Sequence, residues 1–478
     1  MSRHSISSIT VNELIETSGL QALVRGNATV VVTGISQDSR NIETGDLFCC
    51  VRGQKFDGRE FISMAIRNGA VAILVEENIA DIPEHITQIE VENVREAIGP
   101  LASAAFGFPS TSLSIIGITG TNGKTTTAAI LASILRASGR TTEIIGTLSG
   151  AHTTPEAIDL QSMLARFVEN GVDSVVMEVS SHALAQYRVN GLVFDVAIFT
   201  NLGHDHLDFH GTQEEYFAAK ARLFHPTLAL HGVVNVDDPR GQLLLDVGAI
   251  PITAFSVTDA FDVSIGIDKV SFNWHNIAIS VPMGGSYSVV NAIAAATAAE
   301  AIKISALDIE RGCAVVEAVS GRFESIPNDC GFEVIVDFAH TAEGLEGILS
   351  SVRMLTQGRV LLVFGCGGER DVAKRPRMGA IAAALADVVI VTSDNPRGED
   401  PEAIISDVMA EISRSKTDVR AIVNRADAIE SAIIDARRGD IVVVAGKGHE
   451  KTQEINGVLI PISDVETATL ALQNRKGD

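Results

Sequence analysis

The sequence predicts an α/β protein with parallel sheets, and three observations support this fold class. Apolar strands alternate with helical segments along most of the 478 residues, which is the pattern of βαβ units. Four strands in the C-terminal part each end in a polar cluster, as expected where parallel strands face a ligand crevice. A glycine-rich turn, Gly120 to Gly123, joins a strand to a helix. The length favours about three domains.

The first predicted domain covers residues 1–109 and mixes short strands with helices. Within it, the stretch FISMAIRNGAVAILVEE predicts a helix, a glycine stop and a strand. The later segment FGFPSTS contains Pro, Gly and Ser and predicts a linker.

The second and third predicted domains cover residues 110–321 and 322–478. The second opens with the strand LSIIGIT, and VSGRFESIPND marks its end. The third contains four apolar strands, VIVDFAHT, VLLVFGCGGERD, VVIVTSDNPRGED and DIVVVAGKGHEK. Helical segments separate them, so they predict a doubly wound parallel sheet whose strand ends form one crevice. The alternative is that the clusters are polar only because loops are polar.

Composition and charge exclude several classes of protein. The 37 basic and 60 acidic residues give a net charge of -23, which argues against a general nucleic-acid or anionic-membrane surface. The stretch MSRHSISSITVNELIE lacks the apolar core of a signal peptide, and no apolar run is long enough to span a membrane. The five cysteines form no CxxC pair, which favours a reducing compartment. We expect a cytoplasmic protein.

The glycine-rich turn predicts a phosphate-binding loop. The strict pattern G-x-x-x-x-G-K-[ST] fails at one position, because Ile118 replaces its first glycine. The chemistry is retained, since backbone N–H groups and a helix N-terminus can bind phosphate oxygens. Lys124 can reach the β- and γ-phosphates, and the Thr125 hydroxyl can bind Mg2+. The alternative is a tight turn with a solvated lysine.

Metal-type residues follow two further strands. Glu178 ends one strand and precedes SSH, and the next strand precedes GHDHLDFHG. These histidines and acids also fit zinc, but no cysteine lies nearby, and a phosphate loop requires a hard ion. Mg2+ or Mn2+ is therefore favoured, with solvated or helix-capping histidines as the alternative. Lys220, in QEEYFAAKARLF, is locally typical of an exposed helix lysine.

The ordered set of motifs resembles the Mur ligases. It consists of GITGTNGKTTT, TTPEAIDLQ, MEVSSHAL, TNLGHDHLDFHGTQEEYFAAKARLF, DFAHT, GCGGERD, SDNPRGEDP and AGKGHE. The N-terminal stretch SQDSRNIETGDLFCCVRGQKFDGREFI extends the resemblance to nearly the whole chain. The family implies a UDP-binding domain, a central P-loop ATPase domain and a C-terminal Rossmann-like domain.

The resemblance also implies a reaction of cytoplasmic peptidoglycan synthesis in bacteria. The γ-phosphate of ATP is transferred to the D-glutamate carboxylate of UDP-MurNAc-L-Ala-D-Glu, and an incoming amine displaces phosphate to form an amide. Metal ions and Lys124 offset the negative charge. The implied partners are ATP, this substrate and an amino acid, without nucleic acid or membrane insertion, and the expected enzyme is a monomer.

Site residues follow from the resemblance position by position. Thr125 and Glu178 match ligands of a first Mg2+, His206 matches a second-metal ligand, and Lys220 matches a lysine carried as a carbamate. The expected catalytic residues are Lys124, Glu178, His206 and Lys220. The expected ATP contacts are Gly120, Thr121, Asn122, Gly123, Lys124, Thr125, Thr126, Asn291, Arg322, Asp337 and His340. The expected contacts to the UDP-sugar dipeptide are Ser39, Thr153, Thr154, Ser181, Gln186 and Arg188.

The stretch SDNPRGEDP indicates meso-diaminopimelate as the acceptor, because the resemblance links Asp-Asn-Pro-Arg to that branch. Arg397 can bind the distal carboxylate bidentately, whereas lysine would leave this arginine unpaired. Glu450 can take the distal ammonium, and Arg370 another carboxylate. The alternative for Arg397 is a turn residue paired with Glu399 or Asp400. The full expected acceptor site is Arg370, Asp394, Asn395, Pro396, Arg397, Gly446 and Glu450.

Rival functions are a lysine-adding ligase, a folylpolyglutamate-synthetase-like ligase and a non-enzymatic P-loop ATPase or binding scaffold. TTPE and DNPR weigh against the second, and the intact catalytic positions weigh against the third. Phe209, Phe338 and Tyr187 depart from the family pattern without touching a metal or phosphate position.

Overall fold

The computed structural model describes residues 6–53, 56–150, 152–412 and 417–477. Three α/β units follow one another along the chain, each with its own sheet. Within these described ranges, no helix is both long enough and apolar enough to cross a membrane. The five cysteines are free thiols, and four of them are buried.

The N-terminal unit has a mixed sheet and a two-stranded ribbon. Its elements are β1 Ile9–Thr10, α1 Val11–Ser18, β2 Leu23–Arg25, β3 Val31–Val32, β4 Gly34–Ser36, β5 Asp46–Cys49, α2 Ile62–Asn68, β6 Ala72–Val75, β7 Thr87–Glu90 and α3 Val94–Ala105. The sheet order is β2-β7-β6-β5-β4, with only the β2–β7 pair antiparallel. Helix α2, its left-handed cap Gly69 and β6 confirm the predicted helix, stop and strand.

The central unit surrounds a fully parallel sheet. Its first elements are β8 Ser114–Thr119, α4 Lys124–Ala137, β9 Thr142–Ile145, α5 Ala157–Glu169, β10 Ser174–Glu178, α6 Ser181–Ala185, β11 Phe194–Phe199, α7 Leu207–His210 and α8 Gln213–Ala221. The unit continues with β12 Ala229–Asn235, α9 Pro239–Val247, β13 Ile252–Phe255, β14 Phe261–Ile265, β15 Val270–Trp274, β16 Ile277–Val281, α10 Ser286–Ala301 and α11 Ala306–Ala314.

The strand order of this sheet, β13-β12-β11-β8-β10-β9, positions the phosphate loop. Strand β8 lies between β10 and β11, with Ile118 opposite Glu178 and Thr119 opposite Phe199. The carboxyl ends of these three strands therefore meet at one edge. Strands β14 to β16 form a separate antiparallel sheet, which shares a core with α4 and α10.

The C-terminal unit is a doubly wound sheet. Its elements are β17 Glu324–Ser325, β18 Glu333–Asp337, α12 Ala342–Leu355, β19 Val360–Phe364, α13 Lys374–Leu385, β20 Val388–Val391, α14 Pro401–Ile412, β21 Asp418–Ala421, α15 Arg425–Asp435, β22 Ile441–Ala445, β23 Thr452–Ile455, β24 Val458–Pro461 and α16 Asp464–Gly477. The sheet order is β17-β18-β22-β19-β20-β21, parallel except for β17.

Apolar side chains cover both faces of this C-terminal sheet, which is typical of parallel strands that are buried on both sides. The four strands that carry the polar clusters, β18, β22, β19 and β20, are direct neighbours. This confirms the predicted doubly wound sheet and brings its four clusters to one edge.

Candidate functional site

The phosphate loop connects β8 to α4 at the edge where the central strands end. The segment after β11 holds the loop backbone in place. Thr121 N–H donates to the Asn201 carbonyl and Asn122 N–H to the Asn201 side chain, each at 2.9 Å. Gly123 has a φ of 88°, and a Cβ there would lie 2.4 Å from Asn291 Oδ1. Only glycine fits both constraints, so the Asn291 side chain packs directly against the loop backbone.

Two lysines share one carbonyl of the loop. Lys124 Nζ donates to the carbonyls of Gly120 and Thr121 at 2.9 Å, and Lys220 Nζ donates to Gly120 O at 2.8 Å. Lys220 is buried, and its Nζ lies 4.5 Å from the centre of the Tyr216 ring. The local prediction of an exposed lysine is therefore wrong, because α8 turns this residue toward the loop.

Burial also changes the acidity of both ammonium groups. Burial, followed by the charge of Lys124, lowers the pKa of Lys220 well below its usual value. The pKa of Lys124 is lowered by burial and by Arg322, although Glu178 opposes the shift. Lys220 thus favours the neutral amine, which is the form that reacts with CO2, whereas an ammonium cannot.

Glu178, at the end of β10, holds a buried carboxylate beside the helix start. Its Oε2 accepts hydrogen bonds from the hydroxyls of Thr125 at 3.1 Å and Thr147 at 3.2 Å, and its Oε1 accepts Thr147 N–H at 3.0 Å. Arg322 Nη2 donates to Thr125 Oγ1 at 3.3 Å. The Thr125 hydroxyl and the Glu178 carboxylate are hard oxygen donors, and this donor set fits Mg2+.

His206 lies in an aromatic cluster beyond β11. Its Nε2 is 3.5 Å from Asp205 Oδ2, and its ring centre is 4.8 Å from that of His182. Burial lowers the pKa of His206, so the imidazole is neutral and able to bind a cation. Its φ of 57° is uncommon for a non-glycine residue and is typical of functional positions. No cluster of three His, Cys, Asp or Glu in the described ranges has a metal-binding arrangement, so a cation here also requires hydroxyl, phosphate or water oxygens.

A cavity of about 400 Å3 separates the central and C-terminal units beside the phosphate loop. Six of the expected ATP contacts line it, namely Asn122, Gly123, Thr126, Asn291, Arg322 and Asp337. Tyr287 and Phe338 form further walls, and neither was predicted as a ligand contact.

Asp337 joins this cavity to the chain connection between the two units. Its Oδ2 accepts hydrogen bonds from Phe323 N–H at 2.7 Å and Tyr287 Oη at 3.1 Å, and its Oδ1 accepts Ala339 N–H at 2.8 Å. Burial raises the pKa of this carboxyl group. The Arg322 guanidinium lies 4.4 Å from the Phe338 ring centre, so the aromatic residue at this departure from the family pattern supports a cation.

His340 connects the C-terminal unit to the metal-type cluster. Its Nε2 lies 3.6 Å from Asp205 Oδ2, and its carbonyl accepts a hydrogen bond from Lys374 Nζ at 3.0 Å. Asp205 therefore faces both His206 and His340. Asp205 and His206 are neighbours in one sequence motif, whereas His340 belongs to another motif, and the docking of two units brings His340 to Asp205.

Most expected dipeptide contacts lie in one group around Arg188. Its guanidinium donates to Thr154 O at 3.0 Å and to Gln186 Oε1 at 2.8 Å, and it pairs with Glu156 at 2.6 Å. Glu156 was not predicted. Thr153 and Ser181 adjoin this group in the chain, because Thr153 precedes Thr154 and Ser181 follows Ser180, whose N–H donates to Thr154 Oγ1 at 3.0 Å.

Ser39 lies apart from this group, in the N-terminal unit. Its hydroxyl faces Met64 Sδ at 3.5 Å, and its neighbours Asp38 and Arg40 line a cavity of about 750 Å3. That cavity also contains Asp159 and Arg166 of α5, so it lies between the N-terminal and central units.

The expected acceptor residues meet at the C-terminal sheet edge. Asp394 Oδ1 accepts Asn395 N–H at 2.7 Å, while its Oδ2 is buried without a hydrogen-bond partner in the described part of the chain. A Cβ on Gly446 would lie 2.8 Å from that oxygen. A buried carboxylate oxygen of this kind calls for a donor, and a ligand amine can supply it. Pro396 approaches the next loop closely, since a Cβ on Gly368 would lie 2.0 Å from Pro396 O.

The alternative considered for Arg397, a pair with Glu399 or Asp400, is wrong. Arg397 pairs with neither Glu399 nor Asp400, because Glu399 binds Arg375 at 2.9 Å and Arg397 Nε lies 3.5 Å from Glu454 Oε2. Arg397 therefore already has Glu454 as a partner when no acceptor is bound.

Glu450 and Arg370 also have charged partners within the protein. Glu450 Oε2 already accepts hydrogen bonds from Lys447 Nζ at 2.7 Å and Asn395 Nδ2 at 2.9 Å. Its negative charge is thus shared with a buried lysine before any ligand ammonium arrives. Arg370 is half exposed and faces Asp208 of the central unit at 3.7 Å.

Comparison with known proteins identifies all three units. Residues 31–106 match the Mur ligase family catalytic domain, 118–299 the Mur ligase middle domain, and 321–448 the Mur ligase glutamate ligase domain. A relative from Syntrophomonas wolfei, named UDP-N-acetylmuramoyl-L-alanyl-D-glutamate--2,6-diaminopimelate ligase, is 42% identical over 93% of this chain and 95% of its own.

Solved structures show the same fold. One of a ligase with that name has a TM-score of 0.69 and 31% identity, and the match covers 98% of this chain and all of that chain. The MurF ligase of Thermotoga maritima, solved with ADP, has a TM-score of 0.64 at 21% identity, covering 92% and 98% of the two chains. The chain belongs to the Mur ligase family.

Proposed function

We propose that this protein is the ATP-dependent ligase that adds meso-2,6-diaminopimelate to UDP-MurNAc-L-Ala-D-Glu in peptidoglycan precursor synthesis. One observation carries the proposal: a phosphate loop on the central unit and an arginine–carboxylate cluster on the C-terminal unit belong to strand edges that meet across one gap. The name of the Syntrophomonas wolfei relative agrees with it.

The chemistry requires activation of a carboxylate. A carboxylate is a poor electrophile because its leaving group would be oxide, and transfer of the ATP γ-phosphate supplies a good leaving group. Lys124 offsets charge on the transferring phosphoryl group. The acceptor amine then attacks the acyl phosphate, an amide forms, and ADP and phosphate are the other products.

Mg2+ is the proposed metal, with Mn2+ as a substitute. Thr125 and Glu178 would hold one ion, and His206 with carbamylated Lys220 would hold a second. When bound, the metal neutralises phosphate charge. The low pKa of the Lys220 amine supports carbamylation, and the carbamate supplies the anionic oxygen that an amine lacks.

The substrate-contact roles remain proposals, supported by position. Residues around the 400 Å3 cavity, with the phosphate loop and His340, would bind ATP. The Arg188 group would bind the muramoyl dipeptide, and Ser39 the uridine side. Arg370, Asp394 to Arg397, Gly446 and Glu450 would bind the acceptor.

A direct assay tests the proposal. Purified protein receives ATP, Mg2+ and UDP-MurNAc-L-Ala-D-Glu with either meso-diaminopimelate or L-lysine, and mass spectrometry weighs the product. We expect the diaminopimelate tripeptide. Preferred lysine incorporation would assign the protein to the lysine-adding branch, and nucleotide binding without amide product would favour a scaffold role. ATP hydrolysis triggered by folate would point to the folylpolyglutamate branch.

Three finer proposals accompany this function. We place the domain boundaries after residues 109 and 321, where linker segments separate the three sheets. We also propose a monomer, which sedimentation at assay concentration tests. A cytoplasmic location in a bacterium agrees with the pathway of the named relatives and is tested by cell fractionation.

A further inference from the structure

Arg397 already has a carboxylate partner from an element outside the expected acceptor site. Its Nε lies 3.5 Å from Glu454 Oε2, on the β23–β24 hairpin, and its Nη1 donates to Gly368 O at 2.6 Å. Glu454 is 39% exposed at its side chain and Arg397 22%. Solvent and ligand can therefore reach the pair.

Backbone hydrogen bonds hold Glu454 in this place. Arg397 N–H donates to Glu454 O at 3.0 Å, Asn456 N–H donates to Arg397 O at 2.7 Å, and Glu454 N–H donates to Asn395 Oδ1 at 3.0 Å. The turn that would read the acceptor and the hairpin are thus joined along their main chains. The position of Glu454 is set independently of its own ion pair.

An internal carboxylate on Arg397 changes how acceptors are compared. A guanidinium binds a carboxylate through two parallel N–H groups, and Glu454 faces one of those groups at Nε. A ligand carboxylate must displace or share this partner. An acceptor without a distal carboxylate leaves the Arg397–Glu454 pair intact, so the Arg397 guanidinium keeps a counterion.

We infer, resting on the proposed function, that Glu454 is a specificity-determining residue whose carboxylate competes with the distal carboxylate of the acceptor for Arg397. Its negative charge weakens binding of diaminopimelate and moderates the rejection of lysine, whose distal group is only an ammonium. The hairpin therefore sets how sharply the enzyme distinguishes the two acceptors.

The test is the pair of acceptor KM values in Glu454→Gln, measured at saturating ATP and UDP-MurNAc-L-Ala-D-Glu. Exposed ion pairs have modest energies, so we expect KM for diaminopimelate to fall about three- to fivefold while kcat is unchanged. KM for lysine should stay constant or rise, which increases the preference for diaminopimelate. Glu430→Gln, an exposed change of equal charge on α15 of the same unit, is the matched control.

The outcomes separate this inference from the proposed function. A diaminopimelate KM that is unchanged or higher in Glu454→Gln overturns the competition, as does an equal shift in Glu430→Gln. If the wild-type protein makes no tripeptide with either acceptor, the proposed function fails, and the inference fails with it. Tripeptide formation by wild type with no KM shift removes only the role of Glu454.

Discussion

The phosphate side and the acceptor side of the candidate site hold their charges in different ways. On the central unit, Glu178 and Lys220 are each 1% exposed and bond to groups of that same unit. On the C-terminal unit, Arg370 is 52% exposed at its side chain and pairs across units, while Arg397 pairs with a hairpin carboxylate.

The charged groups of the central unit are therefore preformed, whereas those of the C-terminal unit can exchange partners. Buried dipoles and charges act strongly because little water screens them and no reorganisation is needed during reaction. Partly exposed ion pairs act weakly and trade partners when a ligand arrives. Substitutions on the central side should therefore affect turnover, and those on the C-terminal side should affect the choice and affinity of the acceptor.

The largest effect is expected from Lys124→Ala. Losing this cation at the transferring phosphoryl group should lower kcat on the order of 10³-fold, measured as phosphate release under saturating substrates. Lys269→Ala, an exposed lysine between β14 and β15, is the control. A loss below tenfold would show that the preformed side is not where the transition state is stabilised.

A smaller effect, confined to the acceptor, is expected from Arg397→Ala. KM for diaminopimelate should rise about 100-fold, because a charge-assisted contact to the distal carboxylate is lost. The KM for ATP should not change. Arg420→Ala, on edge strand β21, controls for loss of a guanidinium. An equal rise in the KM for ATP would contradict the separation of the two sides.

The third prediction concerns pH and stability on the central side. Burial lowers the pKa of His210 to about 4. An unfolded histidine has a pKa of about 6.5, so between these values the unfolded state binds more protons and acid destabilises the fold. The contribution of His210 is complete above about pH 6.5 and is lost as the pH falls toward 4.

His210→Gln removes this titration while keeping a polar group near Ser181. Between pH 7 and pH 5, its Tm should fall about 2 °C less than that of the wild type, measured by thermal unfolding with circular dichroism. His225→Gln replaces an exposed histidine and serves as the reference. Parallel curves for wild type and His210→Gln would contradict the shift.

The smallest effect is expected from Asp208→Asn. The Arg370–Asp208 contact is long, at 3.7 Å, and exposed, so its loss should change KM for diaminopimelate by less than about threefold. Steady-state kinetics with Asp246→Asn, an exposed aspartate on α9, as control measures the difference. A tenfold change would mean that this contact controls the approach of the two units.

Sequence patterns predicted the parts of the site that one strand and its following loop create. The phosphate loop, Glu178 and the four C-terminal clusters follow apolar strands, and parallel strands bring such ends to one edge. The local pattern misjudged Lys220, since a helix of mixed polarity does not reveal which face a neighbouring loop covers.

Contacts between separate segments could not be predicted in the same way. Glu454 meets Arg397 because a hairpin bridges onto the turn, and Asp205 meets His340 because two units dock. Tyr287 follows a glycine pair and lies at a helix start, with no motif to mark it, yet it bonds to Asp337. The antiparallel sheet of β14 to β16 likewise lies outside the alternating pattern that predicted the rest.

The connection between the central and C-terminal units forms part of the wall of the cavity beside the phosphate loop. Arg322 touches both Thr125 and the Phe338 ring, and Phe323 N–H is bonded to Asp337. Cutting the polypeptide at this joint would remove more than a tether, since part of the cavity lining would go with it. Chimeras that exchange C-terminal units between relatives should therefore place their junction downstream of Phe323, so that the recipient protein keeps its own Arg322.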